Sequence, residues 1–391
     1  MVLRPLTLIG IILSIVTGLA MGIGAHLHWR DQRPADSSQM LTDVLRQVQQ
    51  SYVTEVSDEE LLEYAIEGVM NRLDEYSDYL DSGSFKSLQT TTSGRFGGIG
   101  IELGLVDGYF TVVSPMDDTP ASRAGLEPGD RITGVDGEPV KGKKLKQLVT
   151  MLRGAPGSEV ELSIARDNRK NFDVVLIRSL IRIASVRSRM LEPGFGYLRI
   201  SQFQTNTSKD VGKAIERLND AADGGLRGVV LDLRNNPGGT LQASVEVADH
   251  FLDQGLIVLT RGRLHSSHAK YRATQGDKLA GIPMVVLINS GSASASEIVA
   301  AALKDHDRAT LLGTRSYGKG SVQTLLPLND EQALKLTTAY YYTPDGASIH
   351  GKGIAPDIAL DLSEEQLLEE AVAHLKASTH PQHVYLVPAD E

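Results

Sequence analysis

Three serines and one lysine carry the most reactive chemistry this chain offers. The serines form the ladder Ser292-Ala-Ser294-Ala-Ser296-Glu297, and the lysine stands in Tyr317-Gly318-Lys319-Gly320, twenty-five residues after Ser294. There is no cysteine to serve as nucleophile and no HExxH pair to hold a metal, so a serine activated by a lysine is the best-supported covalent chemistry. Hydrolysis is the leading reaction class, and it calls for no metal or organic cofactor.

Ser294 follows the apolar run 284–288 and precedes a helical run, 296–304. A serine at a helix start lies at the positive end of the helix dipole, and the N–H of Ala295 points to where an oxyanion would form. Ser294-x-x-Glu297 also reads as a capping box, which needs no catalysis to explain it. Ser292 and Ser296 share the segment, and spacing alone does not choose among the three. Lys319 must shed its proton to act as a base, which from an ordinary pKa near 10.4 costs roughly 4.6 kcal/mol at pH 7. Burial removes much of that cost by disfavouring the ammonium.

Two competing chemistries stay open on the residues alone. His250, His265, His268 and His306 leave room for a Ser-His-Asp triad. His306 beside Asp305 is the best placed of them, although a charged helix end explains it more cheaply. Gly313-Thr-Arg-Ser-Tyr-Gly318-Lys319 fits the G-x-x-x-x-G-K phosphate loop, but Gly320 follows where magnesium binding needs Ser or Thr.

These groups must be positioned by a chain of 391 residues with a formal charge of −10, long enough for two or three domains. The acidic balance argues against a nucleic-acid partner, because phosphate binding needs a basic patch. Residues 5–25 are uncharged and mostly apolar, with Arg4 before them and Trp29 and Arg30 after. That length spans a hydrocarbon core of ~30 Å, and the flanks place the rest of the chain outside the cytoplasm. Residues 1–30 are therefore read as a signal anchor or signal peptide, with a retained anchor preferred.

Beyond a polar linker, apolar residues at helical spacing predict helices over 40–52 and 59–73, for example Leu41, Val44, Leu45 and Val48. Residues 31–90 read as a small helical platform for packing or dimerisation. From Gly94 the pattern turns to short strands and turns. After Ile181 apolar strands alternate with amphipathic helices, notably strand 228–233, helix 207–221 and strand 284–288, which implies an α/β layer with active-site loops at strand ends. Residues 362–377 read as an acidic surface helix.

Local signatures within 91–180 resemble a PDZ domain: the stretch Phe96-Gly97-Gly98-Ile99-Gly100, then Ser114 to Ala121, and Ala124-Gly-Leu-Glu-Pro-Gly-Asp-Arg-Ile132. That resemblance implies that Gly98, Ile99 and Gly100 hold a peptide's C-terminal carboxylate on backbone N–H groups. Asp232-Leu-Arg-Asn-Asn-Pro-Gly-Gly239, Asn289 to Ile298 and Gly313 to Gln323 are similar to the motifs of the carboxyl-terminal processing peptidases. The resemblance runs from about residue 38 to 362. It implies a multidomain α/β chain with an N-terminal helical segment, a PDZ-like domain and a ClpP/crotonase-like core over 181–362, followed by a C-terminal helix and tail over 363–391.

The same resemblance assigns Ser294 as nucleophile, Lys319 as general base and Gln323 as the residue orienting the lysine. It places the oxyanion hole at Ala295 with Gly238 or Gly239, and a regulatory role at Arg153 in Met151-Leu-Arg-Gly154. Gln323 meets Lys319 only if their segment makes a helical turn, since in an extended strand they would stand ~13 Å apart. The implied partners are proteins with accessible C-termini and, through the N-terminal segment, a membrane; a second copy or an adaptor protein also fits. The expected activity is an extracytoplasmic serine endopeptidase. The alternative is a non-catalytic PDZ adaptor on an inactive hydrolase scaffold.

Overall fold

The structure, a computed structural model, describes residues 37–106, 108–166 and 171–379. The apolar segment 5–25 lies outside the described residues. Among those described, no helix is long and apolar enough to cross a membrane.

The chain divides into two compact units after Tyr79. The first contains α1 (Ser37–Ser51) and α2 (Asp58–Leu73). Ser57 caps α2 in a reciprocal box with Glu60, which fixes its start. The helical spacing is realised, but Leu41, Val44 and Val48 on α1 remain exposed, while Leu61 and Met70 of α2 are buried.

The second unit opens with α3 (Ser82–Ser93), capped by Asp81 and stopped by Gly94 in the left-handed conformation. A small module follows, bracketed by the antiparallel pair β1 (Arg95–Gly98) and β7 (Ser179–Arg182), with Arg95 opposite Arg182. Within it β2 (Ile101–Val106), β3 (Tyr109–Pro115), β4 (Arg131–Val135), β5 (Glu159–Ala165) and β6 (Phe172–Ile177) form an antiparallel sheet in that order. Val112, Ile132, Leu162 and Ile164 from the sheet pack on Leu148 and Leu152 of α4 (Leu145–Leu152). Alternating burial along β5 is what an antiparallel sheet with one covered face requires.

The larger body is a sheet ordered β8 (Val186–Glu192), β9 (Phe195–Ile200), β10 (Gly228–Asp232), β13 (Met284–Ile288), β14 (Thr310–Gly313) and β17 (Ile358–Ala359). All pairs after β8/β9 are parallel. Every residue of β10 and β13 is buried, because helices cover both faces. Val229, Leu231, Val286 and Ile288 point to one face, with α5 (Thr207–Ala221), α6 (Leu241–Asp249) and α7 (Ala295–Asp305). Val230, Val285 and Leu287 point to the other, against α8 (Glu364–Thr379).

The C-terminal helix is thus not merely an acidic surface element. Leu367, Ala371 and Leu375 recur on one face and are buried against the sheet. Beside this body, β15 (Ser321–Pro327), β16 (Ala333–Tyr342), β11 (Leu256–Gly262) and β12 (Ala269–Arg272) pair antiparallel in that order.

Candidate active site

Parallel strands deliver their C-terminal ends to one edge of the sheet, and the loops leaving β10, β13 and β14 meet there. The first carries Asn235 to Gly239, the second Ser292 to Ala295, the third Ser316 to Gly320.

The three serines separate cleanly. Ser292 Oγ donates to the Leu233 carbonyl at 2.8 Å, and Ser296 Oγ donates to the Asn236 carbonyl at 2.9 Å. Both stitch the serine segment to the neighbouring loop. Ser294 instead has φ 55° and ψ −113°, in a region that costs a non-glycine residue ~1–3 kcal/mol. Its hydroxyl makes no cap hydrogen bond to α7, and its hydrogen-bond partner is the Tyr341 hydroxyl at 3.3 Å.

Only half of the expected capping box forms. Ser294 makes no side-chain cap, whereas its N–H donates to Glu297 Oε2 at 2.8 Å. The Glu297 carboxylate does more: Oε2 also accepts the Lys319 N–H at 2.9 Å, and Oε1 accepts Ser316 Oγ at 2.6 Å and the Gly318 N–H at 2.7 Å. Because one oxygen takes both N–H groups, the Ser294 and Lys319 backbone nitrogens stand less than about 6 Å apart. Burial pushes the Glu297 carboxyl above its ordinary range, while the four donors oppose that push.

Gly238 lies against the serine turn. A Cβ there would sit 2.9 Å from Ser294 Cβ and 3.0 Å from the Ala295 nitrogen, and φ is +103°. The Gly238 N–H is committed to Asn236 Oδ1 at 2.9 Å. Among the described residues nothing accepts the N–H groups of Ala295 and Gly239. Behind this loop, buried Asp232 is held by Arg234 Nη2 at 2.7 Å, Arg199 Nη1 at 3.2 Å and the Tyr197 hydroxyl at 2.8 Å. Burial, then the Asp232 charge, pushes the Tyr197 phenol up to about 12, so it stays a donor.

The phosphate-loop alternative fails on geometry. The segment 314–320 leads into a strand rather than a helix, and the N–H groups of Gly318 and Lys319 point at a carboxylate. None of the four open histidines bonds to Ser294: His250 engages Ser208, His306 the Leu256 carbonyl and His268 the Gly262 carbonyl, while His265 stacks on His268. Gln323 does not follow Lys319 on a helical turn either. It lies in β15 beside a bulge, and its amide nitrogen donates to Ser321 Oγ at 2.9 Å and Thr337 Oγ1 at 3.4 Å.

Residues 194–360 match peptidase family S41 and residues 111–166 match the PDZ domain. A carboxy-terminal-processing protease of Bartonella bacilliformis is 46% identical over 321 residues, covering 82% of this chain and 74% of that protein. The chain belongs to peptidase family S41. This S41 peptidase is also similar to the carboxy-terminal processing protease CtpA of Bacillus subtilis, 34% identical over 356 residues, with 90% and 76% of the two chains covered. Among solved structures it aligns with a photosystem II D1 C-terminal processing protease at 29% identity and a TM-score of 0.50, over 87% of this chain and 97% of that one. Both the family and the multidomain α/β architecture implied by the motifs hold, and the chain is a serine-type peptidase.

In the small module that holds the PDZ match, Ile99 is buried and its carbonyl accepts the Ala121 N–H, while Gly100 at φ +77° presses on Thr119 so closely that a Cβ has no room. Among the described residues nothing accepts the N–H groups of Ile99 and Gly100. Gly98 ends β1, opposite Ser179. Arg153 is exposed at the end of α4 with its guanidinium 4.5 Å from the Phe96 ring centre, and the adjacent Gly154 N–H donates to the Gly97 carbonyl. Buried Arg178 ties the same helix end down, donating to the Met151 and Leu152 carbonyls.

Three groups at the S41 site escaped the sequence reading. Glu297 was given a role only as a cap, Asp232 was visible only as a member of strand 228–233 and the first residue of a family motif, and Tyr341 lies on a strand with no local signal. An acidic residue closing a fully apolar strand is the one usable clue, since an unpaired carboxylate there would be costly.

Proposed function

We propose that this S41 peptidase is an extracytoplasmic endopeptidase that captures substrate C-termini on its PDZ domain and cleaves peptide bonds with a Ser294–Lys319 dyad. The observation that carries this reading is that the Ser294 hydroxyl, unlike those of Ser292 and Ser296, is held by no backbone carbonyl and among the described residues meets only the Tyr341 hydroxyl. Its two neighbours are spent on backbone carbonyls, while Ser294 stands on a strained turn beside an open Ala295 N–H. Glu297 supports the pairing by holding the backbones of Ser294 and Lys319 on one oxygen.

In the proposed cycle Lys319 takes the Ser294 proton as Oγ attacks the scissile carbonyl, then passes it to the leaving amine. Water repeats the sequence on the acyl-enzyme. The Ala295 N–H and an N–H of Gly238 or Gly239 receive the oxyanion; Gly239 is the open donor of the two in this conformation. An orienting role for Gln323 rests on the family resemblance alone, since in β15 its amide nitrogen is spent on Ser321 and Thr337. The N–H groups around Gly98, Ile99 and Gly100 receive the substrate carboxylate. The apolar segment 5–25 supports tethering outside the cytoplasm.

The test compares wild-type chain with Ser294→Ala and Lys319→Arg on a denatured protein, together with labelling by a fluorophosphonate. Both variants are expected to be inactive and to keep their melting temperature to within a few degrees, since guanidinium stays protonated and cannot serve as base. Wild-type turnover by Ser294→Ala would reject the nucleophile, and an active Lys319→Arg would reject the base.

A further inference from the structure

Tyr341 is 4% exposed and stands near the end of β16, fixed from both sides. It pairs with Thr260 of β11, and its N–H donates to the Gly320 carbonyl at 2.8 Å, one residue beyond Lys319. Its ring belongs to the main core, where a phenyl group would pack equally well. A buried phenol O–H needs a partner. Among the described residues its one hydrogen-bond partner is Ser294 Oγ. The hydroxyl is therefore spent on the proposed nucleophile rather than on the scaffold.

We propose that Tyr341 is a further catalytic residue, donating its O–H to Ser294 Oγ so that the serine's own proton faces outward to the base. This rests on the reading of Ser294 as nucleophile and Lys319 as base. As Lys319 takes the serine proton, negative charge gathers on Oγ, and a hydrogen bond donated to an ionised acceptor strengthens. The Oγ–carbon bond then forms, the carbon–nitrogen bond breaks, and the proton leaves with the amine. During deacylation water gives a proton to Lys319 as its oxygen adds to the carbonyl carbon, the carbon–Oγ bond breaks, and Oγ takes that proton from Lys319. Tyr341 keeps its own proton throughout. Burial, with a smaller push from the Glu297 charge and against the Ser294 hydrogen bond, holds the phenol in its protonated form.

The contact at 3.3 Å is longer than the usual O–H···O separation of roughly 2.7–2.8 Å, so its loss should cost less than the ~100-fold or more lost with an oxyanion-hole donor. The experiment measures single-turnover labelling of the full chain by a fluorophosphonate, with kcat and KM on a denatured protein. Tyr341→Phe is expected to slow labelling and kcat about 10-fold, leave KM within about twofold and leave the melting temperature nearly unchanged. Tyr341→3-fluorotyrosine keeps the shape and is a stronger donor, so it should label at least as fast as wild type; this variant decides the matter if the phenylalanine form folds poorly. A wild-type or faster rate in Tyr341→Phe, or slower labelling in the fluorotyrosine form, overturns the proposal. Persistent labelling of Ser294→Ala would instead overturn the parent reading of the nucleophile, so the two failures are distinguishable.

Discussion

Glu297→Gln exchanges one carboxylate oxygen for an NH2 group without changing the shape of the side chain. Placed with its amide oxygen where Oε2 stands, glutamine keeps a neutral acceptor for the N–H groups of Ser294 and Lys319. The NH2 group then faces the Gly318 N–H, leaving that donor unpaired. Ser316 Oγ, which already accepts the Ile354 N–H, loses the acceptor for its own proton. An unpaired buried N–H costs ~1–3 kcal/mol, and replacing a charged acceptor by a neutral one costs about 1 kcal/mol at each bond retained. Relief of the buried charge offsets part of this, leaving a net loss of ~2–4 kcal/mol. At ~2–4 °C per kcal/mol for a unit of this size, the melting temperature should fall by about 4–16 °C.

Activity should fall further than stability suggests. The carboxylate sets the spacing of two segments that the chemistry needs in register, and a displacement of ~1 Å at a reacting group costs about 100-fold. Calorimetry and kcat/KM on a denatured substrate, measured below the transition, read the two effects separately. A variant with unchanged melting and kcat/KM within about threefold of wild type would refute the positioning argument.

Gly238→Ala should be inactive, because φ +103° is strained for alanine and its Cβ would meet the Ala293 carbonyl at 2.8 Å as well as the serine turn; a folded, active variant in a turnover assay would contradict this. Burial works against the Asp232 carboxylate, but Arg234 outweighs it and holds the pKa below its ordinary 3.8. The resulting stabilisation is complete above that unfolded value and is lost as pH falls through the depressed folded one, so Asp232→Asn should flatten the acid limb of urea stability and cost ~3–5 kcal/mol at pH 7 by stranding Arg234. Arg153→Ala is expected to lower turnover more than affinity for a C-terminal peptide, and an amidated peptide should bind poorly; parallel binding and rate measurements check both, and an unchanged rate removes the regulatory role.

Legibility in the sequence followed the range of the interactions. Helix Thr207–Ala221 and strand Met284–Ile288 are set by periodicity within the segment, and both appear with the bounds read from the sequence. The serine segment was legible as a helix start, but not in its detail. Choosing among Ser292, Ser294 and Ser296 depends on the carbonyls of Leu233 and Asn236, some sixty residues earlier in the chain. The capping-box reading of Glu297 used the right residue and missed three of its four donors, because they arrive from the loop after β14. Similarly, an acidic pattern in α8 concealed a face of three buried apolar residues. No periodicity could locate Tyr341 beside Ser294, since their proximity depends on packing two sheets.

The β1/β7 pair has a consequence for how the chain tolerates change. The small module that contains the PDZ match leaves and re-enters the larger body through strands that face each other at Arg95 and Arg182, and the Ile183 N–H closes the ladder on the Gly94 carbonyl. Its host therefore meets the insertion as a hairpin whose ends are already joined. The entropy of closing such a loop rises only logarithmically with its length, by about 0.6 kcal/mol per doubling. The domain can accordingly lengthen, shorten or be exchanged for another with adjacent termini, while the strands that carry the serine and the lysine keep their register.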